Sequence, residues 1–468
     1  MYEILRQRME QESMQYVSID LFSGPGGLCT GFKWAGILPL IAVEWTDTTV
    51  QTYAHSHNAQ VFALNEYIDE NNQVLNEDYL QSFLIPTDQT ILIHGDINLV
   101  SNELIRNLLL YRYGIDSENE NVDVVSGGAP CESFSLAGQR AIGDERDDLF
   151  SNIIRIARAV KTKMILFENV KGLLSKRKDG VAGGMYRYIC NRFEEEMNGL
   201  SYILATREQS KVLLKACDYG VPQARERVFL VAIRNDFNDY VKFSYPEKKY
   251  GPGRKYPYIT VEEAISDLPQ VNSGEEVTLY TPVENYISDN QRKYLEIMRG
   301  RQNINNMNIL APEFLINNNL YSDHSISSHK GPGHIRRKLE LIQIIPINES
   351  MKSTFERLTM EGTIENYRHL FPKKIYAARN RRLKLNEPSF TVTSHCLDEM
   401  LHPTLNRSIT PREAARLQSF PDWYQFQGPY VQFHGDRTQD RYEQIGDAIP
   451  PLLAYSLGEE IKNTLDLI

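Results

Sequence analysis

From residue 17 to about 235, short β-branched runs alternate with amphipathic stretches, and this pattern constrains the fold more than any other feature of the chain. The runs are V-S-I-D-L-F (17–22), L-I-A-V-E-W (40–45), T-I-L-I-H (90–94), V-D-V-V-S (122–126), M-I-L-F-E (164–168) and V-F-L-V-A-I (228–233). Strands that alternate with helices require crossover connections, so the pattern predicts an α/β domain built on a parallel sheet. Between them, D-D-L-F-S-N-I-I-R-I-A-R-A-V (147–160) carries apolar residues at 149, 150, 153, 154, 156, 157 and 160, the stripe of a helix packed on such a sheet. The texture changes after about 236 to tyrosine, proline and glycine (245–258) and then to asparagine clusters at 303–308 and 317–319, which predicts a second, loop-rich domain.

With 468 residues the chain has length for two or three domains and a substantial core. Fifty-one Lys and Arg against 61 Asp and Glu leave a net charge of −10, which excludes a uniformly basic coat for nucleic acid but not a local basic groove. Two local runs qualify. P-K-K-I-Y-A-A-R-N-R-R-L-K (372–384) holds six basic residues and no acid, and K-G-P-G-H-I-R-R-K (330–338) holds four. Basic residues interleaved with tyrosine suit a phosphate-tracking surface as well as a solvated face. Five cysteines, at 29, 131, 190, 217 and 396, offer no C-x-x-C pair and no zinc-like spacing. No disulfide framework, secretory signal or membrane-length apolar run is expected, and the chain reads as a cytoplasmic protein with no metal.

Four segments could carry chemistry. D-L-F-S-G-P-G-G-L (20–28) follows one strand and precedes an apolar-periodic helix, and its glycines at 24, 26 and 27 let backbone approach a ligand. Glu44 lies twenty residues beyond Gly24 at the end of the next strand, where a carboxylate accepts ribose hydroxyls. The spacing is not G-x-G-x-x-G, so a nucleoside-bearing cofactor fits better than a dinucleotide. G-G-A-P-C-E-S-F-S (127–135) places Cys131 in a loop at the carboxyl end of a strand, where open α/β folds bind ligands; a buried apolar cysteine is the alternative. F-E-N-V (167–170) presents Glu168 at another strand end between apolar neighbours, where it either holds a proton or caps a helix. In D-Y-G-V-P-Q-A-R-E-R-V-F-L (218–230), Arg225 and Arg227 alternate on the approach to a strand and point to one side, ready for an anion, a carbonyl or a structural ion pair. Farther on, T-P-R-E-A-A-R-L-Q-S-F (410–420) predicts a helix with Thr410 as N-cap, Pro411 in the first turn and Glu413 three residues beyond the cap.

In this order the segments resemble the DNA (cytosine-5)-methyltransferase family. D-L-F-S-G-P-G-G is similar to its first motif, G-G-A-P-C to its nucleophile motif, E-N-V to its proton-donor motif and Q-A-R-E-R to its arginine motif. R-S-I-T-P-R-E-A-A-R-L-Q-S-F-P (407–421) and G-D-A-I-P-P (446–451) resemble its two closing motifs. Two positions depart from the pattern: Glu132 stands where the family usually has glutamine, and Asp447 where it usually has asparagine.

The resemblance implies a Rossmann-like S-adenosylmethionine methyltransferase sheet in residues 1–235, completed by about 430–468. It implies a smaller target-recognition domain in 236–429, with the irregular stretch 236–385 as its recognition region. It further implies methyl transfer from S-adenosylmethionine to carbon 5 of a cytosine flipped out of double-stranded DNA. Cys131 would attack carbon 6, Glu168 would hold a proton at ring N3, Arg225 would bind the O2 carbonyl, and Arg227 would brace the Cys131 loop. Phe22 and Trp45 would lie against adenine, Glu44 on the ribose, and Asp96 and Ile97 at the adenine edge. Leu149, Gly24, Gly26, Gly27, Leu28, Pro130, Asp447, Ala448 and Ile449 would complete the cofactor site. Ser135, Gln223, Arg381 and Arg382 would contact DNA. A monomer is expected, in the setting of a cognate restriction endonuclease, a phage or a solitary enzyme. Two rival readings stand beside this one: an RNA (tRNA) cytosine-5 methyltransferase, and a cofactor-binding DNA scaffold without catalysis.

Overall fold

Each of the six apolar runs becomes a strand because its alternate residues feed opposite faces of one sheet. In the computed structural model, which describes residues 1–117, 119, 122–129, 149–237, 240–300, 307–432 and 437–468, the strands are β1 (Tyr16–Leu21), β2 (Ile37–Glu44), β3 (Gln60–Ala63), β4 (Ile91–His94), β5 (Val124–Gly127), β6 (Met164–Val170), β7 (Tyr202–Leu204), β8 (Leu213–Lys215) and β9 (Glu226–Arg234). Their order is β3-β4-β2-β1-β5-β6-β9-β7, with β8 paired to β9. The pairs from β3 through β6 are parallel. β9 runs antiparallel to β6, β7 and β8. The fold is therefore a mostly parallel α/β sheet, with one antiparallel edge that burial pattern alone does not reveal, since a strand covered on both faces reads the same in either direction.

Period-two alternation divides the core. Val124, Met164, Leu166, Phe229 and Val231 face one apolar cluster, while Val125, Ile165, Phe167, Leu230 and Ala232 face the other. The predicted helix over 147–160 is seen as Ser151–Ala159, with Ile153, Ile154, Ile156 and Ala157 turned inward. On the opposite face the helix Gly27–Ala35 lies along the C-terminal helix Pro451–Leu465. Their approach is close: a Cβ on Gly31 would come within 2.4 Å of the Pro451 carbonyl oxygen.

The first sheet cluster extends into residues 241–326, through Val241, Phe243, Ile259, Tyr294, Met298 and Ile326. A separate apolar cluster, Leu341, Ile342, Ile345, Met351, Leu358, Leu370, Phe371 and Leu401, underlies the later part of the loop-rich region. There, among the described residues, the only regular sheet is the short pair Arg381–Arg382 and Met400–Leu401. The helix Pro411–Leu417 begins as the sequence predicts: the Thr410 side chain accepts from the Glu413 N–H, and the Glu413 carboxylate accepts from the Thr410 N–H. Among the described residues no helix is long and apolar enough to cross a membrane.

Candidate active site and cofactor cradle

The strand ends of β1, β2, β5 and β6 converge on one rim of the sheet, the place where open α/β folds bind ligands. After β1 the chain turns through Phe22 (φ 56°), Gly24 (φ 56°) and Gly26 (φ 98°) before entering the 27–35 helix. A Cβ on Gly24 would meet nothing within 4 Å, so that side of the turn opens on space, whereas a Cβ on Gly27 would lie 2.1 Å from the Ile449 carbonyl oxygen. The 445–449 turn thus backs the glycine turn directly, with Ala448 buried and Ile449 half-buried.

Glu44 ties this turn to the next loop. One carboxylate oxygen accepts from the Gly24 N–H at 2.9 Å, and the other from the Trp45 and Thr46 N–H groups, each at 2.9 Å. The Trp45 ring is exposed and lies under the Arg437 guanidinium, 4.1 Å from its carbon to the ring centroid. Asp96 caps the short helix Ile97–Leu99 by accepting from the Asn98 N–H at 2.9 Å, with Ile97 buried behind it. Phe22 and Leu149 are both half-buried against the same apolar cluster. An acceptor at Glu44, an exposed aromatic ring and an open glycine turn are the groups that hold a nucleoside, so the residues present fit the expected cofactor.

Glu168 stands at the end of β6, and its Oε1 pairs with Arg227 Nε at 3.0 Å. A Cβ on Gly128 would fall 2.7 Å from Glu168 Oε2, so the glycine pair after β5 leaves room for that carboxylate. Burial pushes the Glu168 pKa up, and the guanidiniums of Arg227 and Arg225 pull against it without reversing the rise. Arg225 is buried, with Nη1 donating to the Val392 carbonyl at 2.8 Å. Asp447 is exposed, and its Oδ2 accepts from Gln439 Nε2 at 2.9 Å. Its crowded setting pushes its pKa up to about 6, with Arg225 and Arg227 acting in the opposite direction. Arg225, Arg227, Glu168 and Asp447 thus form two guanidiniums faced by two carboxylates. Pro130, Cys131 and Ser135 lie outside the described residues, and so does the expected bracing of the Cys131 loop by Arg227.

This site sits in a wider family match. The family model of the C-5 cytosine-specific DNA methylases matches residues 70–463. The chain belongs to this family. It is 29% identical over 443 residues to the Type II methyltransferase M.DdeI of Desulfomicrobium norvegicum, covering 95% of this chain and 88% of that protein. It is 28% identical over 455 residues to the Type II methyltransferase M.XorII of Xanthomonas oryzae pv. oryzae, covering 96% and 85%. A crystal structure of a putative DNA modification methyltransferase encoded within an E. coli prophage matches with a TM-score of 0.64 and 21% identity, over 97% of this chain and 100% of that one, and shares the fold. The protein is a DNA cytosine-5 methyltransferase by family, and the family depends on S-adenosylmethionine.

Two expected DNA contacts of the methylase are corrected. Gln223 has no exposed surface and spends its amide on Leu417, Gln418 and Val392, so it does not reach DNA. Arg382 is buried, and its guanidinium donates to the carbonyls of Ile342, Ile345, His402 and Leu405 and to Asn406 Oδ1. Its charge serves the loop it supports. Arg381, next in line on the opposite side of the strand, keeps a half-exposed guanidinium stacked 3.5 Å from the Phe390 ring centroid.

Sequence reasoning gave no role to Asp20, which lies buried at the end of β1 and accepts from Ser126 Oγ and Cys29 Sγ, each at 2.9 Å. Burial raises its pKa to about 6. A lone carboxylate inside an apolar strand was the available signal. Gln418, Gln439 and Val392 were also missed, and for Val392 there was no signal, because its backbone alone makes the contact.

Proposed function

We propose that this methyltransferase modifies carbon 5 of a cytosine flipped out of a specific double-stranded DNA site, by way of a covalent adduct between Cys131 and carbon 6. The observation that carries the reading is the Glu168–Arg227 pair, set against Gly128 and beside Arg225 on the rim that also holds the glycine turn and Glu44. The cofactor supplies an electrophilic methyl group when bound.

Attack of the Cys131 thiolate on carbon 6 pushes electron density onto the ring and makes carbon 5 nucleophilic. Glu168, whose raised pKa keeps it protonated to higher pH than an ordinary carboxyl, offsets that density at N3. Arg225 binds the O2 carbonyl, and Arg227 fixes Glu168. Phe22, Trp45, Glu44, Asp96, Ile97 and Leu149 hold the nucleoside, with Gly24, Gly26, Gly27 and Leu28 below it and Asp447, Ala448 and Ile449 closing the far end. Residues 1–235, completed by about 430–468, carry the chemistry, and 236–429 read the target. The buried cluster at 341–401 supports this, since it gives the basic segment 372–384 a rigid base. The enzyme acts as a cytoplasmic monomer alongside a cognate restriction endonuclease, a setting suggested by the Type II relatives.

Duplexes carrying 5-fluorocytosine test the covalent step. Collapse of the adduct requires loss of the proton on carbon 5, and fluorine blocks it, so a band shifted on denaturing electrophoresis is expected with S-adenosylmethionine present. The band should vanish in Cys131→Ala. Tight binding of the fluorinated site without any band points instead to a non-catalytic scaffold.

A further inference from the structure

Gln223 and Gln418 are both wholly shielded from solvent. A buried primary amide must match its donors and its oxygen, and these two do so in a directed chain. The Val392 N–H donates to Gln223 Oε1 at 2.8 Å. Gln223 Nε2 donates to Gln418 Oε1 at 2.8 Å and to the Leu417 carbonyl at 3.1 Å. Gln418 Nε2 in turn donates to the carbonyls of Ile445 at 2.7 Å and Ala448 at 3.4 Å.

Both ends of this chain reach the site. At one end, Val392, whose N–H goes to Gln223, offers its carbonyl to Arg225 Nη1 at 2.8 Å. The same segment is clamped to the approach of Arg225 by Ala224 N–H to Ser389 O (2.8 Å) and Ser389 N–H to Pro222 O (2.9 Å). At the other end, the 445–449 turn presses the Ile449 carbonyl against Gly27 of the cofactor turn. Packing alone is served as well by two apolar side chains of similar volume, without five hydrogen bonds to satisfy.

We propose that Gln223 and Gln418 are positioning residues: a buried amide joint that holds the cofactor-side turn and the base-side Arg225 in one register. The proposal rests on the methyl transfer proposed above. Neither glutamine touches substrate, so each acts through what it holds.

Gln418→Met keeps length and volume but strips the N–H groups from Ile445 and Ala448, so the affinity for S-adenosylhomocysteine in calorimetry should fall about tenfold, as expected for orphaned buried carbonyls. It also takes one acceptor from Gln223, which keeps the Val392 N–H and the Leu417 carbonyl, so kcat at saturating cofactor should fall less than cofactor affinity. Gln223→Met frees the Val392 peptide, and its kcat should fall about tenfold while cofactor affinity changes less. A melting curve on each variant separates this split from loss of fold. A second measurement needs no variant: S-adenosylhomocysteine bound to the wild-type protein should slow amide hydrogen exchange in the peptide spanning 389–393. Folded variants whose affinity and kcat match wild type, or a 389–393 peptide indifferent to the bound nucleoside, overturn the joint. A wild-type protein that binds no S-adenosylhomocysteine overturns the functional reading itself, and the joint with it.

Discussion

Glu168 emerges from β6 with burial and two guanidiniums acting on it in opposite senses, and burial prevails. A carboxyl that keeps its proton above the ordinary range is useful as a donor only below its own pKa. Turnover at saturating substrates should therefore decline as pH rises through that value, measured as methyl incorporation over a pH series that starts in the ordinary carboxyl range. Glu168→Gln, which cannot take up or release a proton, should be slower by about 10²–10⁴ and should lose that limb of the profile. Retention of the same limb in the variant would assign it to another group. Glu44 works differently, through acceptance alone. Its two oxygens already hold the Gly24, Trp45 and Thr46 N–H groups. Glu44→Ala should weaken S-adenosylhomocysteine binding by about 1.5–3 kcal/mol, the loss of a charged acceptor, compounded by a looser turn. Calorimetric affinity equal to wild type would remove Glu44 from the nucleoside site.

At the scale of elements, what the sequence made legible followed from periodicity and turn chemistry. The six apolar runs, the glycine turn and the Thr410–Glu413 cap each rest on local rules, and each is present. The strands that escaped notice, β3, β7 and β8, are three or four residues long; β4 and β5 are as short, but β-branched residues mark them in T-I-L-I and V-D-V-V, which Q-V-F-A, Y-I-L and L-L-K do not match. The direction of β9 escaped too, because burial on both faces carries no sign. Gln223 and Arg382 escaped for a related reason. A polar side chain in a basic or motif-bearing segment looks exposed by type, and only the three-dimensional fold places backbone carbonyls around it. The segment 372–384 divides accordingly into Arg382, turned inward, and Lys373, Lys374 and Arg379, turned outward. Lys374 and Arg379 both sit over the Tyr376 ring. Replacing Lys374, Arg379 and Arg381 by alanine should weaken binding to all duplexes alike and lower the salt slope by about one unit for each phosphate no longer neutralised. Arg382→Ala should lower the unfolding midpoint and leave the slope unchanged. A salt slope that moves with Arg382 and not with the triple replacement of Lys374, Arg379 and Arg381 reverses this assignment.

For the whole molecule, the region beyond the sheet domain is held together through buried charge as well as apolar surface, in a network that spans residues 267–424. The Asp422 carboxylate accepts from Arg416 at 2.6 and 2.7 Å and from Arg299 at 2.8 Å, while Arg416 reaches both oxygens of Asp267 at 3.0 Å. Arg412 adds Ser327, Pro421 and Tyr424. Asp267, the helix Asp289–Arg299, the 322–327 stretch and the 411–424 segment are thus fastened together beside the first sheet cluster. Around Asp422 and Glu413 burial raises the carboxyl pKa and the arginines lower it, and the arginines win: Asp422 is held well below its usual range, and Glu413, paired with Arg407, falls to about 2. For a depressed carboxylate, the stabilising contribution is present above the unfolded pKa and is lost as pH falls through the folded one. Asp422→Asn leaves Arg416 and Arg299 without their shared counter-charge in a site that water cannot enter. It should cost about 3–5 kcal/mol at neutral pH, read as a lower midpoint in urea unfolding. Because the wild-type carboxylate is itself neutralised in strong acid, the gap between the two proteins should narrow as pH is lowered below about 4, the ordinary aspartate value. An Asp422→Asn variant as stable as wild type at neutral pH would mean that the hydrogen bonds from Arg416 survive without the charge, leaving the network to set how the 267, 289–299 and 411–424 segments are oriented and nothing of their stability.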